Sequence, residues 1–312
     1  MPSIVALGEP MVEFNQARAD VPEHYLRGFG GDTSNMAIAA ARLAGEPGRV
    51  GYVTRVGDDA FGRMLLDLWR GEGVDTRGVV ADREAPTGVY FVTHGAHGHE
   101  FSYLRAGSAA SRMTPDALPH EVIRGAAILH VSGISQAISA GACDTVFAAI
   151  AEAAAGGARL SYDPNLRPKL WPLARARATI VATIAKCDWF LPSLDEARTL
   201  SGYDDAGAIV DWCHGQGAPV VALKCGRDGV VVSDGRRHET IAGHRVECVD
   251  ATGAGDCFDG AFAARLHAGD SPFDAARYAN AAAALATTGF GAVAPLPRDA
   301  AVRALLALTV EA

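Results

Sequence analysis

The sequence predicts an α/β protein: a doubly wound, mostly parallel sheet flanked by helices, with a smaller group of strands outside it. Three observations predict this. Short apolar runs alternate with helical stretches along nearly the whole chain, as a parallel sheet with crossover helices requires. Polar residues gather just past several of those runs, where open α/β sheets collect their ligands. The segments at about 11–29 and 86–106 break the alternation and read as strands standing apart.

Taken in order, Ile4-Val5-Ala6-Leu7-Gly8-Glu9 is an apolar run closed by Gly, suited to a first strand buried on both faces. Gly30-Gly31 permits a tight turn against a ligand. Ser34-Asn35 then leads into a small-residue helix through Ala44, which Asn35 could cap. Residues 50–57 form the next strand, and 63–72 a helix with Met64, Leu65 and Leu68 on one face. Residues 87–93 and 100–105 flank a Gly-rich turn and read as a hairpin, with Tyr103 and Arg105 on one face. Its tip carries His94, His97 and His99, which the intervening glycines mark as a solvated loop rather than a metal site.

Strands follow at 126–133, at 158–163 and at 188–191, and a strand, Gly turn and strand at 220–232. A helix covers 141–155, another follows Asp195-Glu196, and a large one starts at Ser271, with Ser as N-cap and Pro272 at N1. That last helix runs through Asn280 and Ala284.

The stretch Asp250-Ala251-Thr252-Gly253-Ala254-Gly255-Asp256 follows Val246-Glu247-Cys248-Val249, which reads as the end of a strand, and opens a helix. Gly253, Ala254 and Gly255 leave backbone N–H groups accessible at the positive end of the helix dipole, which suits an anion. Asp256, in the first turn, either complements that dipole or serves as a general base beside the anion, as phosphoryl transfer to a hydroxyl requires.

With 312 residues, the chain suits one large α/β domain or two small ones. A hydrophobic content of 49% is that of a globular protein, and a net charge of −8 argues against nucleic acid or an anionic membrane as partner. Any anionic ligand must therefore be met by locally placed Arg or Lys. No run approaches a membrane span. The six cysteines form no Cys-x-x-Cys pair, lie mostly in apolar surroundings and read as buried cytosolic thiols.

Two motifs more than two hundred residues apart carry a resemblance. Gly30-Gly31-Asp32-Thr33-Ser34-Asn35 resembles the first signature of the ribokinase-like (PfkB) family of carbohydrate kinases, and Asp250-x-x-Gly253-Ala254-Gly255-Asp256 the second. Position 251 departs from the pattern, with Ala where the family usually has Thr, Pro or Val. The resemblance implies a ribokinase-like fold across residues 1–312, with a small β-sheet lid from about 11–29 and 86–106. It also implies a cytoplasmic enzyme using ATP and Mg2+, with K+ dependence left open, and a homo-oligomer of two or more subunits.

Within that family, Tyr103-Leu104-Arg105, Val131-Ser132-Gly133-Ile134 and Asp163-Pro164-Asn165-Leu166-Arg167-Pro168 resemble the branch acting on 2-keto-3-deoxygluconate. A sugar acid needs a cation for its carboxylate, and Arg105 and Arg167 offer the bidentate geometry. By resemblance Gly31, Asn35, Tyr90, Tyr103, Arg105 and Arg167 line the substrate pocket beside Asp256, and Glu9 stands where many relatives carry Asp. Lys224, Gly226 and Gly229 match a Lys-x-Gly-x-x-Gly segment beside ATP. Asn280 and Ala284 match the helix flanking adenine, and Asn165, Gly253, Ala254 and Gly255 fall on the nucleotide side. Ser193 and Glu196 match an Asn-x-x-Glu segment with Ser for Asn, which implies that Glu196 holds Mg2+ through water.

The implied mechanism has Asp256 take the proton of a primary hydroxyl as its oxygen attacks the γ-phosphorus, while the glycine-rich turn stabilises the transferred group. Rival readings are a fructokinase, a 5-dehydro-2-deoxygluconokinase, or a non-catalytic sugar-acid sensor.

Overall fold

The structure, a computed structural model, describes residues 1–16, 23–95 and 98–310. In chain order the strands are β1 (Ile4–Leu7), β2 (Met11–Gln16), β3 (Tyr25–Gly30), β4 (Val50–Gly57), β5 (Val79–Asp82), β6 (Val89–Gly95), β7 (Gly98–Leu104), β8 (Ile128–Ser132), β9 (Arg159–Asp163), β10 (Trp189–Phe190), β11 (Val220–Lys224), β12 (Gly229–Ser233) and β13 (His238–Ala242). The helices are α1 (Asp32–Leu43), α2 (Ala60–Gly71), α3 (His120–Arg124), α4 (Gly133–Ala137), α5 (Ala140–Ala155), α6 (Leu173–Ile184), α7 (Leu194–Ser201), α8 (Ala206–Gly215), α9 (Ala254–His267), α10 (Pro272–Ala286) and α11 (Asp299–Val310).

The main sheet has nine strands in the order β13-β12-β11-β10-β9-β8-β1-β4-β5. β12 runs antiparallel to both its neighbours, and the other pairings are parallel. The four residues of β1 are buried and uniformly apolar, because helices cover both faces of the sheet there. One layer buries Met36, Trp69, Phe262 and Tyr278 from α1, α2, α9 and α10. The other buries Val146, Ile180, Leu200 and Ile209 from α5 to α8. β1 pairs with β4 on one side and β8 on the other, so the strand order reverses there and the ends of β1, β8 and β9 frame a crevice.

α9 is buried nearly all round and crosses α1 at close range. A Cβ on Gly260 would lie 2.5 Å from the carbonyl oxygen of Met36, so only glycine lets the two helices meet there.

β3-β2-β6-β7 form a separate lid sheet, in which β2 is antiparallel to β3 and parallel to β6. Its register aligns Gly28, Glu13, Tyr90 and Tyr103 in one row across the four strands. Residues 17–22 of the expected lid segment lie outside the described residues.

Several boundaries differ from the sequence reading. α1 starts at Asp32 with Gly31 as N-cap, so Asn35 sits inside the first turn, its N–H donating to the Gly31 carbonyl, and does not cap the helix. α2 starts at Ala60 because the Asp59 side chain caps it by accepting from Gly62 N–H. Residues 246–249 are not a strand: the N–H groups of Val249 and Asp250 both hang on the Thr287 carbonyl. α11 follows the helix that had read as the last large one. Cys143, Cys187, Cys213 and Cys257 are buried, whereas Cys225 is half-buried and Cys248 exposed. Among the described residues no helix is long and apolar enough to cross a membrane.

Candidate active site

Gly253 caps α9 at φ 77°, and a Cβ there would meet Ala292 at 3.0 Å, so both conformation and space require glycine. The turn is pinned by Asp250, whose carboxylate accepts from Thr252 N–H (2.9 Å), Thr252 Oγ1 (2.6 Å) and Gly291 N–H (2.9 Å). Of the three expected donors, Ala254 N–H is used within the turn, donating to the Ala251 carbonyl at 3.2 Å, while Gly253 and Gly255 N–H keep no backbone partner among the described residues.

Asp256 retains some solvent access, yet the protein packed around its carboxyl pushes its pKa up to about 7. The charge of Asp32 pushes the same way, and a hydrogen bond from Asn35 Nδ2 (2.8 Å) opposes it. A carboxyl with that pKa beside open N–H donors suits a general base near neutrality. Asn35 reaches Asp256 because α1 and α9 touch at Gly260, and its Oδ1 is buried without a partner.

Below this turn lies a buried charge cluster. Lys224, at the end of β11, donates to Asp163 Oδ2 (2.9 Å) and Asp259 Oδ1 (3.0 Å). Burial alone would lower the ammonium's pKa, but the two carboxylates outweigh it and raise it. Burial works on both acids, yet Lys224 keeps Asp163 ionised while Asp259 is driven towards its neutral form. Asn165 follows at φ 33°, a left-handed conformation uncommon outside glycine. Its N–H donates to Asp163 Oδ1 (2.8 Å) and its Nδ2 to Asp32 Oδ2 (3.0 Å). Asp32 Oδ1 is buried without a partner.

On the lid side, Glu9 is buried and binds the Arg105 guanidinium and the Ser108 hydroxyl (2.6 Å). Arg105 also lies over the Tyr103 ring, 5.7 Å from its centroid, and its Nε is buried without a partner. The Tyr90 hydroxyl donates to Glu13 Oε2 at 2.5 Å, and its ring stacks on Tyr103. Burial and then the charge of Glu13 raise the Tyr90 phenol's pKa, and Asp256 adds to the rise, so the lid residue senses the candidate base. Arg167 is half exposed and pairs with Glu196 Oε1 at 3.3 Å. Both arginines, expected to meet a ligand carboxylate, are thus already paired with carboxylates of the chain. Gly31, at φ 103°, abuts the Glu9 carbonyl, so the backbone alone requires glycine there.

The residues expected at the nucleotide are largely engaged within the chain. Ser193 and Glu196 form a reciprocal capping box at α7. Asn280 Nδ2 donates to the Ala242 carbonyl at 2.8 Å, and Ala284 lies half-buried on the same helix. Gly226, at φ 60°, faces open space, whereas Gly229, at φ 104°, is required by the Ile241 carbonyl against it. In the expected solvated loop, His94 Nε2 is 2.8 Å from Asn15 Oδ1, and His97 lies outside the described residues.

Sequence reading missed Asp259 and Glu13. Asp259 carried a signal, since it follows Asp256 by three residues and shares its side of α9. Glu13 carried none that separates it from a solvated strand residue.

The chain matches the model for pfkB family carbohydrate kinase over residues 1–299. It is 36% identical to fructokinase-1 of Zea mays over 97% of each chain. It is 34% identical to 2-dehydro-3-deoxygluconokinase of Bacillus subtilis (strain 168), over 88% of this chain and 85% of that one. The structure superposes on fructokinase from Vibrio cholerae O395, solved in a fructose, ADP and calcium ion bound form, with a TM-score of 0.87 and 30% identity over 97% of this chain and 99% of that one. The family model and the maize relative both cover this chain nearly end to end, and the chain belongs to the pfkB family of carbohydrate kinases.

Proposed function

We propose that the chain transfers the γ-phosphoryl group of ATP to the primary hydroxyl of 2-keto-3-deoxygluconate, giving the 6-phosphate. The observation that carries the choice of substrate is Arg105 Nε, a buried donor without a partner. A ligand that brings an acceptor there relieves the cost of an unmet buried N–H, about 1–3 kcal/mol, and a sugar acid's carboxylate or keto oxygen is such an acceptor. Arg167, half exposed and paired with Glu196, keeps further N–H groups that a carboxylate could use.

Asp256 takes the proton of the primary hydroxyl as that oxygen bonds to the γ-phosphorus. The bond from phosphorus to the bridging oxygen breaks, and ADP leaves with its electron pair. Gly253 and Gly255 N–H groups hold the transferred oxygens, and Asn35 orients Asp256. Bound Mg2+ would neutralise the triphosphate. Both Glu196 oxygens already accept hydrogen bonds, so this residue suits a water-mediated contact rather than direct ligation.

A second reading is fructose. Glu9 already balances the Arg105 charge, which a neutral ketose tolerates better than a sugar acid does. The maize relative and the Vibrio structure are both named fructokinases.

ADP release with Mg-ATP, measured against 2-keto-3-deoxygluconate, its galacto epimer, gluconate, fructose and ribose, separates the two. Selective turnover of the keto-deoxy acids is the expected result. Preference for fructose would discard the sugar-acid reading while keeping Asp256 as base.

A further inference from the structure

The lid sheet holds a buried acid that the mechanism above leaves unused. Glu13, on β2, is 4% exposed, and its partner is the Tyr90 hydroxyl at 2.5 Å on the neighbouring strand β6. A carboxylate buried in such a place costs stability unless it is hydrogen-bonded, and here Tyr90 and Asn15 bond it. The backbone makes room for this pair in two places. A Cβ on Gly28 would come within 2.7 Å of Glu13 Oε1, and a Cβ on Gly30 within 2.5 Å of the Tyr90 hydroxyl. The alternate positions of β3 facing the pair are therefore both glycine, and the pair is built into the sheet.

We propose that Glu13 is a positioning residue that fixes the polarity of Tyr90 towards the sugar. Burial raises the Glu13 carboxyl's pKa and the hydrogen bonds from Tyr90 and Asn15 oppose that; while Glu13 is ionised, the phenol's single proton is committed to it. What the Tyr90 oxygen can still offer is a lone pair, so the sugar must present a hydroxyl that donates there. Arg105 has the opposite character, since its unpartnered Nε can only donate. The pocket thus demands a donor at Tyr90 and an acceptor at Arg105. It discriminates against a sugar that is deoxygenated, or carries a carbonyl, at the position facing Tyr90. A site built to bond a substrate hydroxyl rejects analogues lacking it far more strongly than an apolar site rejects a size difference.

This inference rests on the crevice being the sugar pocket, but not on which sugar fills it. The test uses whichever sugar the wild-type enzyme selects in the panel above, the keto-deoxy acid or fructose. A fructose result thus ends the sugar-acid reading and leaves this test intact. Single-deoxy analogues of that sugar are compared across wild type, Glu13→Gln, Glu13→Asp and Tyr90→Phe, with KM and kcat read separately for sugar and ATP. In wild type one deoxy position costs at least about tenfold in kcat/KM. Glu13→Gln puts an amide there that can donate to the Tyr90 oxygen as well as accept from it, so the phenol proton is no longer committed; the variant raises the sugar KM more than it lowers kcat, and shrinks that penalty to about threefold or less. It leaves the ATP KM where it was. Tyr90→Phe abolishes the penalty, and Glu13→Asp, which keeps a carboxylate acceptor, restores it. Thermal melts identify any variant that fails to fold, and the Asp variant then carries the comparison. If Glu13→Gln kept the full wild-type penalty at that position, or if wild type were indifferent to every deoxygenation, the inference would be overturned.

Discussion

The two ends of the crevice differ in how their buried polar atoms are partnered. Between the lid and the start of α1, Arg105 Nε, Asp32 Oδ1 and Asn35 Oδ1 are buried with no partner among the described residues, although the other side-chain atoms of Asp32 and Asn35 reach Asn165 and Asp256. At the opposite end, Lys224, Glu196, Ser193 and Asn280 all find partners inside the chain. What stays open there is backbone N–H at the α9 turn and the space above Gly226. The lid end stores unmet hydrogen bonds that one particular ligand would complete, and this is the arrangement that discriminates between close analogues. The opposite end offers shape and a partial positive charge, which recognise any phosphate. On the proposed reading, selectivity is exercised on the sugar, while the α9 turn receives a phosphate whatever it is attached to.

The largest effect that could break this comparison is at Asp256. Asp256→Asn should lower kcat by about a thousandfold with little change in sugar affinity, read by ADP release and by calorimetry. Turnover within tenfold of wild type would remove Asp256 as base. The same variant has a stability signature. The folded carboxyl titrates at about 7, above its ordinary range, so ionising it as pH rises costs the folded state. Asp256→Asn should therefore melt higher than wild type at pH 8, and the gain should vanish towards pH 4.

Next comes Lys224. Lys224→Met strands Asp163 and Asp259 without their cation and should destabilise the fold by about 3–5 kcal/mol, measured by denaturant titration. A variant of unchanged stability but lost ATP affinity would make Lys224 a nucleotide ligand and blur the difference between the two ends. The smallest effect is the pH profile. Because the base must be ionised, kcat/KM should fall about tenfold per unit as pH drops below about 7, and level off above it. A flat profile from pH 5.5 to 8 would mean that Asp256 is already ionised throughout.

Much of this was legible in the sequence because it depends on neighbours in the chain. The alternation of apolar runs and helices is local, and so is the Gly253-Ala254-Gly255-Asp256 turn, whose glycine cap and first-turn acid are both present in the structure. What was not legible is pairing at a distance. Arg105 and Glu9 are 96 residues apart, and nothing in either segment announces that the lid arginine is already balanced by the end of β1. Lys224 reads as part of a Gly turn beside ATP, and nothing in that segment announces the acids from β9 and α9 that enclose it. Residues 246–249 misled for the same reason, since apolar content suggests a strand while the Thr287 carbonyl of a later loop decides their course.

The contact at Gly260 has a wider consequence. Asn35 and Asp256 lie on different helices, and the distance between them follows from how tightly α1 and α9 are pressed together, at a point where one of them has no side chain. The alignment of the proposed base is thus inherited from the close-packed interior and not from any loop. A methyl group added or removed deep between these helices would be felt as a catalytic lesion, although it touches no ligand.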